Sequence, residues 1–138
     1  MKMKFEDIQE AFDFVNFGIY GDHTALLEKS TGKIHWHSES GDLDEIPEAI
    51  WESDDTVAIP HKKDLGLGNQ LVFDFVLSSS PDDYDYVRNV FDGPGAYARY
   101  KDFLESKSML QSWYDFEKAA QSRALREWCE ENGIELTG

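Results

Sequence analysis

Two helical patterns between Phe91 and Ile134 constrain this chain more than any other feature. Met109, Trp113, Phe116, Ala120, Ala124 and Trp128 recur at spacings of three and four, one apolar stripe along a long helix. Ser108, with Gln111 three residues on, predicts its start as a capping box in which each side chain satisfies a free backbone donor. Asn132-Gly133 predicts its end, because glycine accepts a left-handed cap, and Ile134 is placed to fold back on Trp128 or Cys129. Gly93-Pro94 predicts the start of a shorter helix, with proline at a first helical position. Ala96, Tyr100 and Phe103 share one of its faces, with Tyr97 and Leu104 on an adjacent one. The short link over 105–107 makes the two helices antiparallel neighbours.

The rest of the chain alternates between short patterns. Phe5, Ile8, Phe12 and Val15 predict an amphipathic N-terminal helix, with Glu6 and Asp7 in its first turn and Gly18 and Gly21 breaking it. Residues 24–28 and 33–38 read as a hairpin turning through Lys29-Ser30-Thr31-Gly32. In its second strand Ile34, Trp36 and Ser38 take the core face, and His35, His37 and Glu39 the solvent face. Val57 and Ile59 mark a third strand, which Pro60 places at an edge or an end. Residues 62–68 read as a loop. A helix through Leu71, Val72, Phe75 and Val76 follows, and Ser80-Pro81-Asp82-Asp83 opens another with Tyr84, Val87 and Phe91 as its buried stripe. Segregated strands and helices give an α+β fold: one helix, a small three-stranded antiparallel sheet, then four helices, within a single domain over 1–138.

Several motifs together carry a resemblance. Gly95-Ala96-Tyr97-Ala98-Arg99-Tyr100-Lys101-Asp102, then Trp113-x-x-Phe116, Arg123 and Trp128-x-x-x-Asn132-Gly133-Ile134, resemble the bacterial uncharacterised protein family 0158. The Thr31-Gly32 turn and the helix from Phe5 to Val15 are also similar to that family, which more often has phenylalanine at Tyr97 and a basic residue at Ala98. The resemblance implies the fold and a bacterial cytoplasm, and no reaction.

Charge narrows the function classes. The chain carries 28 acidic against 13 basic residues, a net charge of −15. Direct binding to a nucleic-acid backbone needs a basic surface to release counterions, and anionic membranes are disfavoured for the same reason. Residues 39–55 hold eight of the acids (Glu39, Asp42, Asp44, Glu45, Glu48, Glu52, Asp54 and Asp55) and no lysine or arginine, while Pro47-Glu48-Ala49-Ile50-Trp51 predicts a helical turn pinning the stretch. Seven basic residues (Arg88, Arg99, Lys101, Lys107, Lys118, Arg123 and Arg126) lie in the C-terminal helices instead. The acidic stretch either docks on those helices or faces outward as a contact surface. The single cysteine, Cys129, permits no internal disulfide and reads as a small buried hydrophobe.

Two constellations could carry chemistry. His35-x-His37-x-Glu39 aims three metal-ligating side chains the same way along a strand, with His61 as a further ligand; an outward strand face accounts for the same residues without a metal. Arg99, Lys101, Asp102, Asp115, Glu117 and Arg123, near Tyr97, Trp113 and Tyr114, could hold an anionic ligand or a peptide end; ion pairs between helices account for them equally. Gly66-x-Gly68 lacks the lysine of a phosphate loop, there is no nucleophile elbow, and no cofactor is expected. The leading expectation is a non-enzymatic cytoplasmic protein acting through a protein partner, one of basic character, with Arg99, Lys101, Asp102, Tyr114, Arg123, Asp42, Asp44 and Glu45 as contact residues. The alternatives are a metal-dependent enzyme on His35, His37 and Glu39, and an acidic mimic of nucleic acid.

Overall fold

The computed structural model describes residues 2–137 and is an α+β fold. Its elements in order are β1 (Lys2–Met3), α1 (Phe5–Val15), β2 (His23–Glu28), β3 (Lys33–Ser38), β4 (Leu43–Asp44), α2 (Glu48–Trp51) and β5 (Thr56–Ala58). Then come α3 (Asn69–Ser79), α4 (Tyr84–Val90), α5 (Ala96–Ser106), α6 (Leu110–Glu131) and β6 (Glu135–Leu136). Short 3-10 turns occupy Lys62–Leu65, where a loop was expected, and Pro81–Asp83. The chain groups into two compact units, one formed by everything up to Leu65 together with everything from Ser122 on, the other by Gly66–Gln121. Among the described residues no helix is long and apolar enough to cross a membrane.

In the first unit four strands, not three, form an antiparallel sheet in the order β4-β3-β2-β5, and β1 pairs with β6 in parallel. The extra strands are two residues long, too short for an alternating pattern to show in sequence. The β2–β3 hairpin has the expected register, with Ala25 opposite Trp36 and Leu27 opposite Ile34, and Gly32 (φ 77°) closes its turn. Strand β5 is at the edge, where Pro60 removes no ladder bond. Strand β2 is central, and Ala25, Leu26 and Leu27 are all buried, so both of its faces are covered. That is why this segment reads as an unbroken apolar run. Helix α1 buries Ile8, Ala11, Phe12 and Val15, and Phe14 sets its ring edge-on to Trp36 (5.0 Å) and His23 (4.8 Å).

The second unit is a helical cluster. Leu71, Val72, Phe75 and Val76 of α3, Val87 of α4, Tyr100 and Leu104 of α5 and Trp113 of α6 make its core. Val90 is fully buried and Phe91 only half, so the stripe of α4 ends one residue early. Helix α5 starts two residues later than the Gly93-Pro94 signal predicts. Gly95, at φ 65°, is its N-cap, and Pro94 stays in the preceding turn.

The start of α6 differs for a reason visible in the backbone. Ser108 is not its capping serine but sits at φ 57°, in the left-handed region. Its N–H donates to Glu105 O (3.1 Å), and Met109 N–H donates to Leu104 O (2.8 Å). That nested pair is the Schellman motif, and it closes α5. The same pair closes α6 as expected, with Gly133 (φ 70°) donating to Glu130 O and Ile134 to Cys129 O. The two helix ends are built alike, yet only one carries glycine. Ser108→Gly is therefore expected to stabilise the protein by about 0.5–1 kcal/mol in urea unfolding, since the side chain disfavours this conformation. A loss of stability would show that the serine hydroxyl supplies something that the backbone does not.

The apolar stripe of α6 is not continuous. Trp113 is in the helical core, but in the second half the buried residues are Leu125 and Cys129, while Trp128 and Ala124 are half-buried. At 3.6 residues per turn, Trp113 and Leu125 lie on faces roughly 120° apart. Burial pushes the Cys129 thiol up to about 11, so it stays protonated and serves as an apolar side chain.

Candidate functional site

The histidines of β3 do not converge. His35 and His37 share the face opposite Ile34 and Trp36, as strand alternation requires, but that face is not open to solvent. His35 is only 5% exposed, and its Nε2 lies 3.3 Å from Glu28 Oε1 in a hydrogen bond across the hairpin. His37 packs its ring edge-on to Trp51 at 5.6 Å, with Nδ1 3.5 Å from Asp44 Oδ1. That contact is not a hydrogen bond. Glu39 lies beyond the strand, exposed, in a turn whose N–H donates to Asp22 O. Among the described residues no three His, Cys, Asp or Glu side chains gather as a group able to hold a metal. The register, which places Glu28 and Asp44 beside the two imidazoles, decides this.

The charged residues of α5 and α6 find rings rather than carboxylates. Lys101 Nζ lies 5.2 Å from the Tyr97 ring centre and 5.8 Å from that of Tyr114. Trp113 Nε1–H donates to Tyr97 Oη, and Tyr97 O–H donates to Glu117, each at 3.3 Å. Burial raises the Tyr97 phenol above its ordinary value, so it remains a donor at neutral pH. Arg99 donates to Pro94 O and Asp115 accepts from Gln111, while Asp102 and Arg123 are exposed. No ion pair joins these cations to Asp102, Asp115 or Glu117 among the described residues, so the expected interhelical salt bridges are replaced by cation–π contacts.

The acidic stretch is fastened to the hairpin. Strand β4 pairs Leu43 with Ser38 and Asp44 with His37, Glu45 N–H donates to Trp36 O, and Asp55 accepts from Ser30 N–H. Ile46 is its buried anchor, whereas Trp51 of the predicted helical turn is exposed. Asp42, Asp44 and Glu45 all face outward.

The feature that sequence reasoning passed over is the loop between α1 and β2. Phe17, Ile19 and Tyr20 are 71%, 80% and 54% exposed, three large apolar side chains within four residues of chain. Gly18 (φ 76°) and Gly21 (φ 87°) give the loop its shape. Asn16 ties its base by accepting Lys62 N–H at 2.9 Å and donating to Phe12 O at 2.8 Å. The signal available in sequence was an apolar trio outside any helical or strand period, interrupted by Gly18 and followed by Gly21.

Two hollows flank Tyr20. One, of about 290 Å³, is lined by Ile19, Tyr20, Gly21, Asp22, Glu39 and Ser40. Asp22 is held ionised there: hydrogen bonds from the Ser40 hydroxyl and then from Ser40 N–H (2.9 Å) keep its carboxyl below the usual range. The other, of about 180 Å³, includes His23, Thr24, Ile59, His61 and Asp64 in its wall. Tyr20 covers His61 edge-on at 4.6 Å and donates to Asp64 at 3.4 Å. His61 Nδ1 accepts Lys63 N–H (3.1 Å), which puts the ring proton on Nε2, and burial lowers its pKa so that the ring is neutral at physiological pH. A larger hollow, of about 440 Å³, has Lys4, Phe5, Glu6, Arg126 and Thr137 in its wall, but there the Arg126 guanidinium already lies 4.0 Å from the Phe5 ring centre.

No family model, curated protein or solved structure matches this chain.

Proposed function

We propose that this protein works by contact with another protein, through the loop at 17–22. The observation that carries this is the exposure of Phe17, Ile19 and Tyr20 within four residues of chain; Trp51, Leu77, Tyr86, Tyr97 and Tyr114 are exposed as well, but Phe17 and Ile19 are the most exposed of the large apolar side chains among the described residues. Exposed apolar side chains gain nothing from water, and a grouped set beside polar hollows has the composition of a contact surface. The loop is anchored at Asn16 and Asp22, so little ordering cost opposes binding. Apolar anchors also separate this reading from imitation of nucleic-acid charge, which needs carboxylates at the contact. The metal-dependent alternative has no gathered ligand set to support it.

The test is the double variant Phe17→Ser with Ile19→Ser. Both side chains are exposed, so stability is expected to stay within about 0.5 kcal/mol. Quantitative affinity capture from the source cell, wild type against variant, should show one or more proteins retained by the wild type and lost by the variant. Identical sets would remove this loop as the contact surface.

A further inference from the structure

The same loop also indicates what covers it. We propose that residues 17–20 and the hollow beside them dock a basic segment of the partner, an apolar side chain meeting Phe17 and Ile19 while a neighbouring lysine or arginine enters the hollow of Tyr20, Asp22 and Glu39. This rests on the reading of the loop as a contact surface and names the chemistry of what binds there.

Charge selects the occupant. The hollow has an apolar side, Ile19 and Tyr20, and a polar side, Asp22, Glu39 and Ser40. The Asp22 carboxylate is fixed in place by Ser40 and kept ionised, with His23 Nδ1 also 3.3 Å from its Oδ2; its side chain is 14% exposed, so it supplies charge to the hollow while the exposed Glu39 offers the carboxylate that an incoming cation can reach. The Glu39 segment is locked to it by the bond from Glu39 N–H to Asp22 O at 3.2 Å. Tyr20 already holds one cation, with Lys63 Nζ 4.9 Å from its ring centre. Residues 39–55 continue from this rim with eight acids and no base, on a chain of net charge −15. A second copy of this chain would bring the same charge to the same place and be repelled, as would any anionic partner. A segment alternating basic and apolar side chains satisfies both halves of the surface.

The probes are labelled peptides of equal length: lysine–leucine, lysine–serine and glutamate–leucine, with affinity read by fluorescence anisotropy. The lysine–leucine peptide should bind most tightly, the lysine–serine peptide at least roughly tenfold more weakly, and the glutamate–leucine peptide not at all. Added salt should weaken binding, because the Debye length shortens to about 8 Å at physiological ionic strength. Ile19→Ser and Glu39→Gln should each weaken the lysine–leucine peptide several-fold; Glu39 is exposed, so its variant folds even if Asp22→Asn disturbs the Ser40 turn. Equal binding of the lysine–leucine and glutamate–leucine peptides, or lysine–leucine affinity indifferent to both variants, would overturn the proposal. If no basic peptide binds while the Phe17, Ile19 double variant still loses its cellular partner, the inference falls and the contact reading stands. If that partner is retained as well, both fall.

Discussion

Trp113→Ala is expected to lower the free energy of unfolding by about 3–5 kcal/mol, the range for large aromatic truncations in packed cores. Trp113 is 1% exposed and stands among Tyr100 at 5.3 Å, Phe75 at 5.5 Å and Phe116 at 6.3 Å. Truncation opens a cavity bounded by rings that cannot collapse without leaving their own contacts. It also strips the Tyr97 hydroxyl of its indole donor while leaving Glu117 to accept from it. Trp113→Phe keeps much of the volume and should cost about 1–3 kcal/mol, which isolates the lost hydrogen bond and residual void. Urea unfolding of both variants checks the order. A loss below about 1 kcal/mol for the alanine variant would show that the helical core does not depend on this ring.

Leu125→Ala carries the second large effect, about 2–5 kcal/mol, because Leu125 is wholly buried in the sheet-bearing unit. Trp128→Ala, three residues on, should cost less despite the larger side chain. Trp128 is half-buried and lines a small open hollow with Asp64, Leu65 and Glu131, so water can fill the space that it leaves. The comparison is decisive because the apolar spacing on α6 favours Trp128. A greater loss at Trp128 than at Leu125 would restore the stripe that the spacing predicts.

The elements with many repeats of their pattern were legible in sequence. Helix α1 has four apolar positions at helical spacing followed by two glycine breaks, the β2–β3 hairpin has a turn that only glycine closes cheaply, and α3 and α6 have apolar residues recurring at spacings of three and four. Local sterics and the need to bury a face fix such segments, so position along the chain suffices to find them. The C-terminal cap of α6 was legible for the same reason, since Gly133 advertises its left-handed conformation.

What tertiary structure alone decided is where short or ambiguous signals went. Serine at 108 reads as an N-cap, and only the packing of α5 against α6 turns it into the left-handed residue that ends the earlier helix. Strands β1, β4 and β6 exist because a neighbouring strand offers its free backbone groups, and two residues carry no period of their own. His35 became a buried, Glu28-bonded side chain because cross-strand register, which no spacing within one strand reveals, set a carboxylate beside it. The same holds for the loop at 17–20. Its composition suits a core, and it stands in solvent because both cores are filled by residues whose positions repeat with the helix and strand periods, leaving Phe17, Ile19 and Tyr20 no interior to enter.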